Sequence, residues 1–195
     1  MKSFSSFELE LRSTFQKLPV NEIHTRPTWD EYFMMIAKLS AVRSTCLAFP
    51  VGAVIVKHRQ ILATGYNGSP PGSPHCTAQG FCYEGLQKCT DNNLPSRSIH
   101  AEANAIAQAA KHGIRTEGAA IYVTLEPCLA CLKLIISAGI KEVFYETLFN
   151  TGDRVTVRDF FVHDGLVTLT PIRVSVAAAV QAADFLVNPT SIAKD

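Results

Sequence analysis

Two short stretches constrain this chain more than any other feature of its sequence. The first is Ile99-His100-Ala101-Glu102, and the second is Glu126-Pro127-Cys128-Leu129-Ala130-Cys131. Their imidazole and two thiols form a ligand set that suits a zinc ion with its fourth position left for water. Glu102 is not needed as a ligand, and a carboxylate beside a metal-bound water is suited to moving protons. We therefore predict a fold that brings both stretches to one catalytic metal centre.

Each half of this pattern is weak evidence by itself. A lone Cys-x-x-Cys pair is also found in structural zinc knuckles and in redox-active sites, and His-x-Glu occurs often by chance. The two halves in this order, each at the predicted start of a helix, favour the catalytic zinc centre over these alternatives.

The sequence around both halves predicts helix N-termini. An alanine-rich segment, residues 101–111, predicts a helix that begins at the His-x-Glu motif. Pro127 suits a helix start, since its missing N–H is not needed there. We expect Cys128 and Cys131 in the first turn of that helix and on the same face, where free N–H groups and the helix dipole favour thiolates.

The order of the predicted elements indicates an α/β fold of three layers. Thr28-x-x-Glu31 has the form of a capping box, and the apolar residues after it predict a helix to about Ser44. Two apolar runs then predict a hairpin. Glycine followed by an apolar residue is predicted to end three helices before strands. The expectation is an α/β/α domain with a mixed sheet of about five strands. The predicted strands are 51–56, 61–64, 120–125, 141–145 and 166–169, with the stopping glycines Gly113, Gly139 and Gly165 and a final helix over 173–187.

Composition bounds the type of protein. A chain of 195 residues with 47% hydrophobic and 18% charged residues is expected to form one globular domain, here 28–195, after an N-terminal extension over 1–27. A net charge of +1 argues against binding long nucleic acid. We see no secretory signal, and the apolar segment Val174–Val187 is too short and interrupted to span a membrane. These features predict a cytoplasmic protein.

Several further stretches give the chain a family resemblance. It resembles the deoxycytidylate (dCMP) deaminases of the cytidine deaminase-like superfamily, and the resemblance runs from about residue 28 to residue 145. The His-x-Glu and Pro-Cys-x-x-Cys pieces are typical of the superfamily as a whole. The Gly-Tyr-Asn-Gly loop and the long segment behind it are typical of the nucleotide-specific branch. The matching stretches are 28–34, 44–46, 51–56, 65–70, 75–76, 100–106 and 122–131.

This resemblance implies hydrolytic deamination of dCMP to dUMP and ammonia, which supplies dUMP for dTTP synthesis. It implies that His100, Cys128 and Cys131 bind zinc and that Glu102 carries protons between water and the substrate. The resemblance further implies two contacts to the substrate and one residue lining its pocket. Asn67 would contact the deoxyribose, the backbone of Ala101 the base, and Thr124 would line the pocket.

The same resemblance implies regulation. Relatives are commonly hexamers that dCTP activates and dTTP inhibits, with Mg²⁺ accompanying a bound nucleoside triphosphate effector. The effector is expected beside the loop 65–70, in contact with Tyr66, Asn67 and Gly68. A Gly-rich turn lets backbone amides approach phosphate closely. The stretch 48–50 departs from many bacterial relatives, which carry basic residues there, so no phosphate contact is assigned to it.

The remaining cysteines suggest a second metal site. Three of them fall in a long segment, 73–98, which has no predicted secondary structure, and such a segment needs something to order it. A closed site of four thiolates is a common structural zinc site. The alternatives are replacement of one cysteine by His75, or free thiols without metal. The predicted ligands are Cys46, Cys76, Cys82 and Cys89.

Two other functions compete with this interpretation. The chain is also compatible with another deaminase of the superfamily, acting on tRNA adenosine or on guanine. A catalytically inactive, zinc-stabilised binding protein is the alternative from outside enzymology. Glu102 argues against it, because zinc does not need that carboxylate for a structural role.

Overall fold

The computed structural model of the chain describes residues 26–46, 49–79, 97–149 and 155–187. The described part of the chain divides into two compact units, one within 32–173 and the other formed by 26–31 together with 174–187. The sheet and both motifs belong to the first unit. Most of the predicted extension, 1–27, lies outside the described residues, and the single domain predicted over 28–195 stays a prediction.

Helices and strands alternate along most of the described chain. The helices are α1 (Trp29–Ala41), α2 (Cys76–Gln79), α3 (Ala101–Lys111), α4 (Leu129–Ser137), α5 (Val155–His163) and α6 (Val176–Val187). The strands are β1 (Gly52–Lys57), β2 (Gln60–Tyr66), β3 (Ala120–Leu125), β4 (Glu142–Thr147) and β5 (Thr168–Pro171).

The five strands form one mixed sheet in the order β2-β1-β3-β4-β5. β1 is antiparallel to both of its neighbours, with Ala53 opposite Val123. β3, β4 and β5 are parallel, with Ile121 opposite Val143. The predicted mixed sheet of about five strands is therefore confirmed.

Helices cover both faces of this sheet. The backbone of α3 lies directly on Gly65 of β2, and the backbone of α1 lies directly on Gly52 of β1. These two glycines point to opposite faces, because strand neighbours alternate and Gly65 pairs with Ala53. The face under α3 and α4 holds the main apolar core, which includes Ile121 and Leu132. The predicted α/β/α layering is thus confirmed.

The capping box at the start of α1 is present. The Thr28 N–H donates to Glu31 Oε2 at 2.8 Å, and the Glu31 N–H donates to Thr28 Oγ1 at 3.2 Å. The helix ends at Ala41, earlier than the predicted Ser44. The Ser44 hydroxyl donates to Asn67 Oδ1 at 2.6 Å, so a contact distant in sequence holds this residue outside the helix.

Glycine stops the three predicted helices. Gly113, Gly139 and Gly165 have φ of 65°, 76° and 68°, the left-handed conformation that glycine adopts without strain. β5 begins at residue 168, later than predicted, because the Leu166 N–H bonds back to the Phe161 carbonyl at the end of α5. α6 begins at 176 and not at 173, because Ser175 caps it by accepting from the Ala178 N–H at 3.2 Å.

Two further expectations meet the structure only in part. The segment predicted without secondary structure, 73–98, contains the helical turn α2, and its residues 80–96 lie outside the described part. None of the described helices combines the length and the apolar character needed to cross a membrane.

Candidate metal centre

The two sequence motifs meet in space. His100, Cys128 and Cys131 each offer one ligand atom, and these atoms lie within 4.8 Å of one another. His100 Nδ1 is 3.5 Å from Cys128 Sγ and 3.4 Å from Cys131 Sγ. In the part of the chain that the structure describes, this is the one group of three or more such residues close enough to share a metal ion. The predicted convergence of the two motifs is confirmed.

Both motifs stand at helix starts, as expected. In the second motif, however, the helix begins one residue after Cys128, which was predicted to lie within its first turn. His100 is the N-cap of α3 and Cys128 is the N-cap of α4, each with extended backbone, and neither side chain caps its own helix. Cys128 therefore precedes the first turn, and Pro127 lies before the N-cap. Because neither side chain is used in capping, the imidazole and the thiol are available to a shared ligand.

The two thiols titrate as a pair. The pKa of Cys128 is lowered to about 3, first by the hydrogen bond from the Cys131 thiol and also by His100. The pKa of Cys131 is raised, first because its proton is held in the hydrogen bond to Cys128 and also because the thiol is buried. Without a cation the two sulfurs thus share one proton, and the two thiolates expected at a bound metal stay a prediction. A divalent cation displaces the shared proton and makes both sulfurs ligands, so the donor set fits zinc.

Glu102 stands beside this group as a buried carboxyl. Its side chain is 3% exposed, and its Oε2 has no hydrogen-bond partner among the described residues. Burial raises the pKa of Glu102 to about 7, and His100 opposes that rise. A carboxyl with a pKa near neutrality both accepts and donates a proton, as a general acid–base requires.

The first turn of α3 is held against the Gly-Tyr-Asn-Gly loop. Gly68 and Ile99 exchange backbone hydrogen bonds of 3.1 and 2.9 Å, immediately before His100. Ala101, the next residue, is fully buried. The loop that follows β2 therefore holds the backbone directly before the predicted ligand His100.

Asn67 lies in that loop and is 6% exposed. Its Oδ1 accepts from the Val51 N–H at 2.9 Å and from the Ser44 hydroxyl, and its Nδ2 donates to the Phe49 carbonyl. Thr124 supports the same segment, since its Oγ1 accepts from the Gly52 N–H at 3.2 Å. Both residues thus hold the chain that enters β1, and their predicted contacts to a ligand stay predictions.

A cavity of about 410 Å³ lies at this end of the sheet. Thr124 and Leu125 line it from β3, and Phe49 and Val51 line it from the segment that enters β1. At its edge Lys38 pairs with Glu146 at 2.8 Å. The cavity places the predicted pocket residue Thr124 beside a volume that a small ligand can enter.

The predicted second zinc site is described only in part. Cys46 is half-buried and Cys76 is buried, while Cys82 and Cys89 lie outside the described residues. His75 Nδ1 is 3.3 Å from Thr45 Oγ1. The second site stays a prediction.

One residue of the second stretch, Glu126, was assigned no role from the sequence. Glu126 is 4% exposed, and its Oε2 accepts from the Phe149 N–H at 3.1 Å. Its own N–H donates to the Thr147 carbonyl at 2.8 Å. Glu126 therefore ties the turn that carries Cys128 to the segment after β4. In the sequence, the feature that could have singled out Glu126 is its position directly after an apolar predicted strand.

Known proteins with similar sequences include ComE operon protein 2 of Bacillus subtilis, which is 47% identical over 65% of this chain and 63% of that protein. A deoxycytidylate deaminase of Schizosaccharomyces pombe is 37% identical over 75% of this chain and 46% of the relative. The chain thus spans less than two thirds of the length of these two relatives.

A dCMP deaminase of the cyanophage S-TIM5, solved in complex with dCMP and dUMP, is similar in structure. Its TM-score is 0.60 at 31% sequence identity, over 76% of this chain and all of the phage chain. Residues 27–147, which include both motifs and β1 to β4, match the family described as the cytidine and deoxycytidylate deaminase zinc-binding region. On this match, the chain belongs to the cytidine and deoxycytidylate deaminase family.

Proposed function

We propose that this protein is a zinc-dependent deaminase that hydrolyses dCMP to dUMP and ammonia. The observation that carries the proposal is the convergence of His100, Cys128 and Cys131 beside the buried Oε2 of Glu102, which has no hydrogen-bond partner within the described part of the chain. Similarity to proteins named deoxycytidylate deaminases supports dCMP as the substrate.

In this proposal His100, Cys128 and Cys131 hold the zinc ion. A bound zinc ion lowers the pKa of water and so supplies a nucleophile at neutral pH. Glu102 would accept a proton from the attacking water and deliver it to the ring nitrogen of the base, and it would then pass a second proton to the amine so that this group leaves as ammonia. Its burial favours this role, because a desolvated carboxyl gives up and takes up protons near pH 7.

The proposed substrate contacts come from residues around the metal centre. Thr124 lines the pocket, the backbone of Ala101 contacts the base, and Asn67 contacts the deoxyribose. Asn67 already bonds to residues of the segment that enters β1. A sugar hydroxyl at this amide would therefore couple substrate binding to the position of that segment.

The matched test of the mechanism is Glu102→Gln, with Glu142→Gln as the control. Glu142 is exposed on β4 and has no part in the proposed site. Glu102→Gln should retain zinc and lose several orders of magnitude in turnover, because the neutral amide performs neither proton transfer. Glu142→Gln should retain both. Near wild-type turnover by Glu102→Gln would reject the assigned mechanism.

A substrate panel tests the choice of reaction. Ammonia release should be observed with dCMP and not with tRNA adenosine or guanine. Release from one of the latter substrates would assign the chain to another deaminase. Bound zinc without ammonia release from any substrate would favour the binding protein.

We also propose that the enzyme is a hexamer, activated by dCTP and inhibited by dTTP, with Mg²⁺ on the bound triphosphate. A cavity of about 370 Å³, lined in part by Tyr66, Ser69 and Pro71, lies beside the Gly-Tyr-Asn-Gly loop and supports an effector there. Tyr66, Asn67 and Gly68 are the proposed contacts. Initial rates with and without each triphosphate and Mg²⁺, together with light scattering, provide the test. Hyperbolic kinetics indifferent to both triphosphates would reject the regulation.

A second, structural zinc is proposed at Cys46, Cys76, Cys82 and Cys89, with His75 as the alternative ligand. The cysteine content of the long segment supports it. Metal analysis should give two zinc ions per chain, and about one in the double variant Cys82→Ser, Cys89→Ser. One zinc in both proteins would reject the second site.

A further inference from the structure

We propose that Asn104 is a positioning residue, which sets His100 and Glu102 in register with Cys128 and Cys131. The proposal rests on the metal centre proposed above and adds to it a residue of α3 outside both motifs. Asn104 is the fourth residue of that helix and lies between two alanines.

The amide of Asn104 joins two backbone segments that are distant in sequence. Its Nδ2 donates to the Tyr66 carbonyl at 2.7 Å and lies 3.5 Å from the Ile99 carbonyl. Tyr66 ends β2, and Ile99 directly precedes His100. One side chain therefore links the end of a strand to the residue that leads into the ligand.

This hydrogen bond lies at the Gly-Tyr-Asn-Gly loop, which contacts the segments around the metal centre. Three consecutive residues of the loop contact three different parts of the chain: Tyr66 contacts Asn104, Asn67 contacts the segment that enters β1, and Gly68 pairs with Ile99. The amide and the backbone pairing hold α3 at two points against the end of β2. These two attachments oppose rotation of α3 about its axis and sliding of α3 along the strand.

The consequence concerns the two ends of the ligand set. His100 is the N-cap of α3, while Cys128 and Cys131 lie at the start of α4, so the two parts of the ligand set are on separate helices. Rotation of α3 would move His100 and Glu102 together, relative to the two sulfurs. Groups that orient metal ligands through a hydrogen bond usually change metal affinity or activity by about 10–100-fold when they are removed.

The test uses cobalt(II) as a spectroscopic substitute for zinc. Binding is followed by the thiolate-to-cobalt charge-transfer absorption, with a competing chelator to give the affinity. Asn104→Asp preserves the shape and replaces the donor by an acceptor facing two carbonyl oxygens. Asn104→Ala removes the donor without adding a charge and is assayed in the same way should the aspartate variant not fold. Gln108→Ala is the matched control, since Gln108 lies one turn further along α3 and, like Asn104, lines the cavity of about 370 Å³ beside the Gly-Tyr-Asn-Gly loop.

We expect both Asn104 variants to bind cobalt at least about tenfold more weakly and with a shifted ligand-field spectrum. Gln108→Ala should keep the wild-type affinity and spectrum. Wild-type affinity and spectrum in Asn104→Ala would overturn the positioning role alone. Failure of the wild-type chain to bind cobalt would instead overturn the proposed metal centre, and the role of Asn104 with it.

Discussion

Gly65 offers a test of how the sheet sets the metal centre. A Cβ at this position would lie 2.5 Å from the Ala105 nitrogen and closer still to the Ala101 carbonyl oxygen. Real Cβ contacts essentially never fall below 3.0 Å. In Gly65→Ala, α3 must therefore move from β2 by about 0.5 Å or more, and His100 and Glu102 move with it.

Gly52 provides a matched control on the other face of the sheet. A Cβ there would lie 2.5 Å from the Ala41 nitrogen of α1, so the steric conflict is similar. α1 contributes no ligand to the metal centre. Both variants should lose stability by about 1–3 kcal/mol, the usual cost of overpacking. Only Gly65→Ala should also weaken metal binding, by about tenfold or more, because a metal site tolerates displacements of no more than about 0.5 Å.

The assay combines urea unfolding of the metal-free proteins with cobalt titration of the folded ones. It is done at low temperature, so that both variants remain folded. Equal metal affinity in the two variants would refute the reasoning, because it would show that contact between Gly65 and α3 does not determine the position of the ligand helix.

Three further predictions follow from buried or bridging carboxylates. In the metal-free protein, Glu102 has a folded-state pKa near 7, above its ordinary value of 4.5, so its ionisation destabilises the fold as the pH rises between these values. Metal-free Glu102→Gln should then exceed the wild type in stability at pH 8 by on the order of 3 kcal/mol, and by little below pH 4.5, in urea melts. Hydrogen bonds from Ser175 and Thr28 lower the pKa of Glu31 to about 2, so its charge stabilises the fold above pH 4.5 and this contribution is lost as the pH falls towards 2. Glu31→Gln should lower the melting temperature at pH 7, and a difference of the same size at pH 2 would contradict this. Glu126→Ala leaves the Phe149 N–H without its acceptor and should cost about 1–3 kcal/mol, against about 0.5 kcal/mol or less for the exposed Glu142→Ala.

The Glu31 carboxylate serves two helix starts at once. It completes the capping box of α1 through Thr28, and its Oε1 accepts from the Ser175 N–H at 3.1 Å, at the start of α6. The capping box could be predicted, because its two residues are close in sequence. The bond to Ser175 could not, because 144 positions separate the partners.

The sequence by itself determined the features that neighbouring residues encode. Capping boxes, glycine stops and apolar strands all depend on a few adjacent residues, and these elements lie close to where they were predicted. The ligand types were also readable, because metal chemistry depends on which side chains are present. Such features need no knowledge of the rest of the fold.

Tertiary structure alone decided which segments meet and in what register. It ended α1 at Ala41 through the bond between Ser44 and Asn67, and it brought Asn104 to the Tyr66 carbonyl. It also coupled the titration of the two thiols, since the pKa of each thiol depends on the other thiol and on its burial. The physical reason is common to all three: hydrogen bonds and desolvation act between atoms that are near in space, and packing brings those atoms together from segments far apart in the chain.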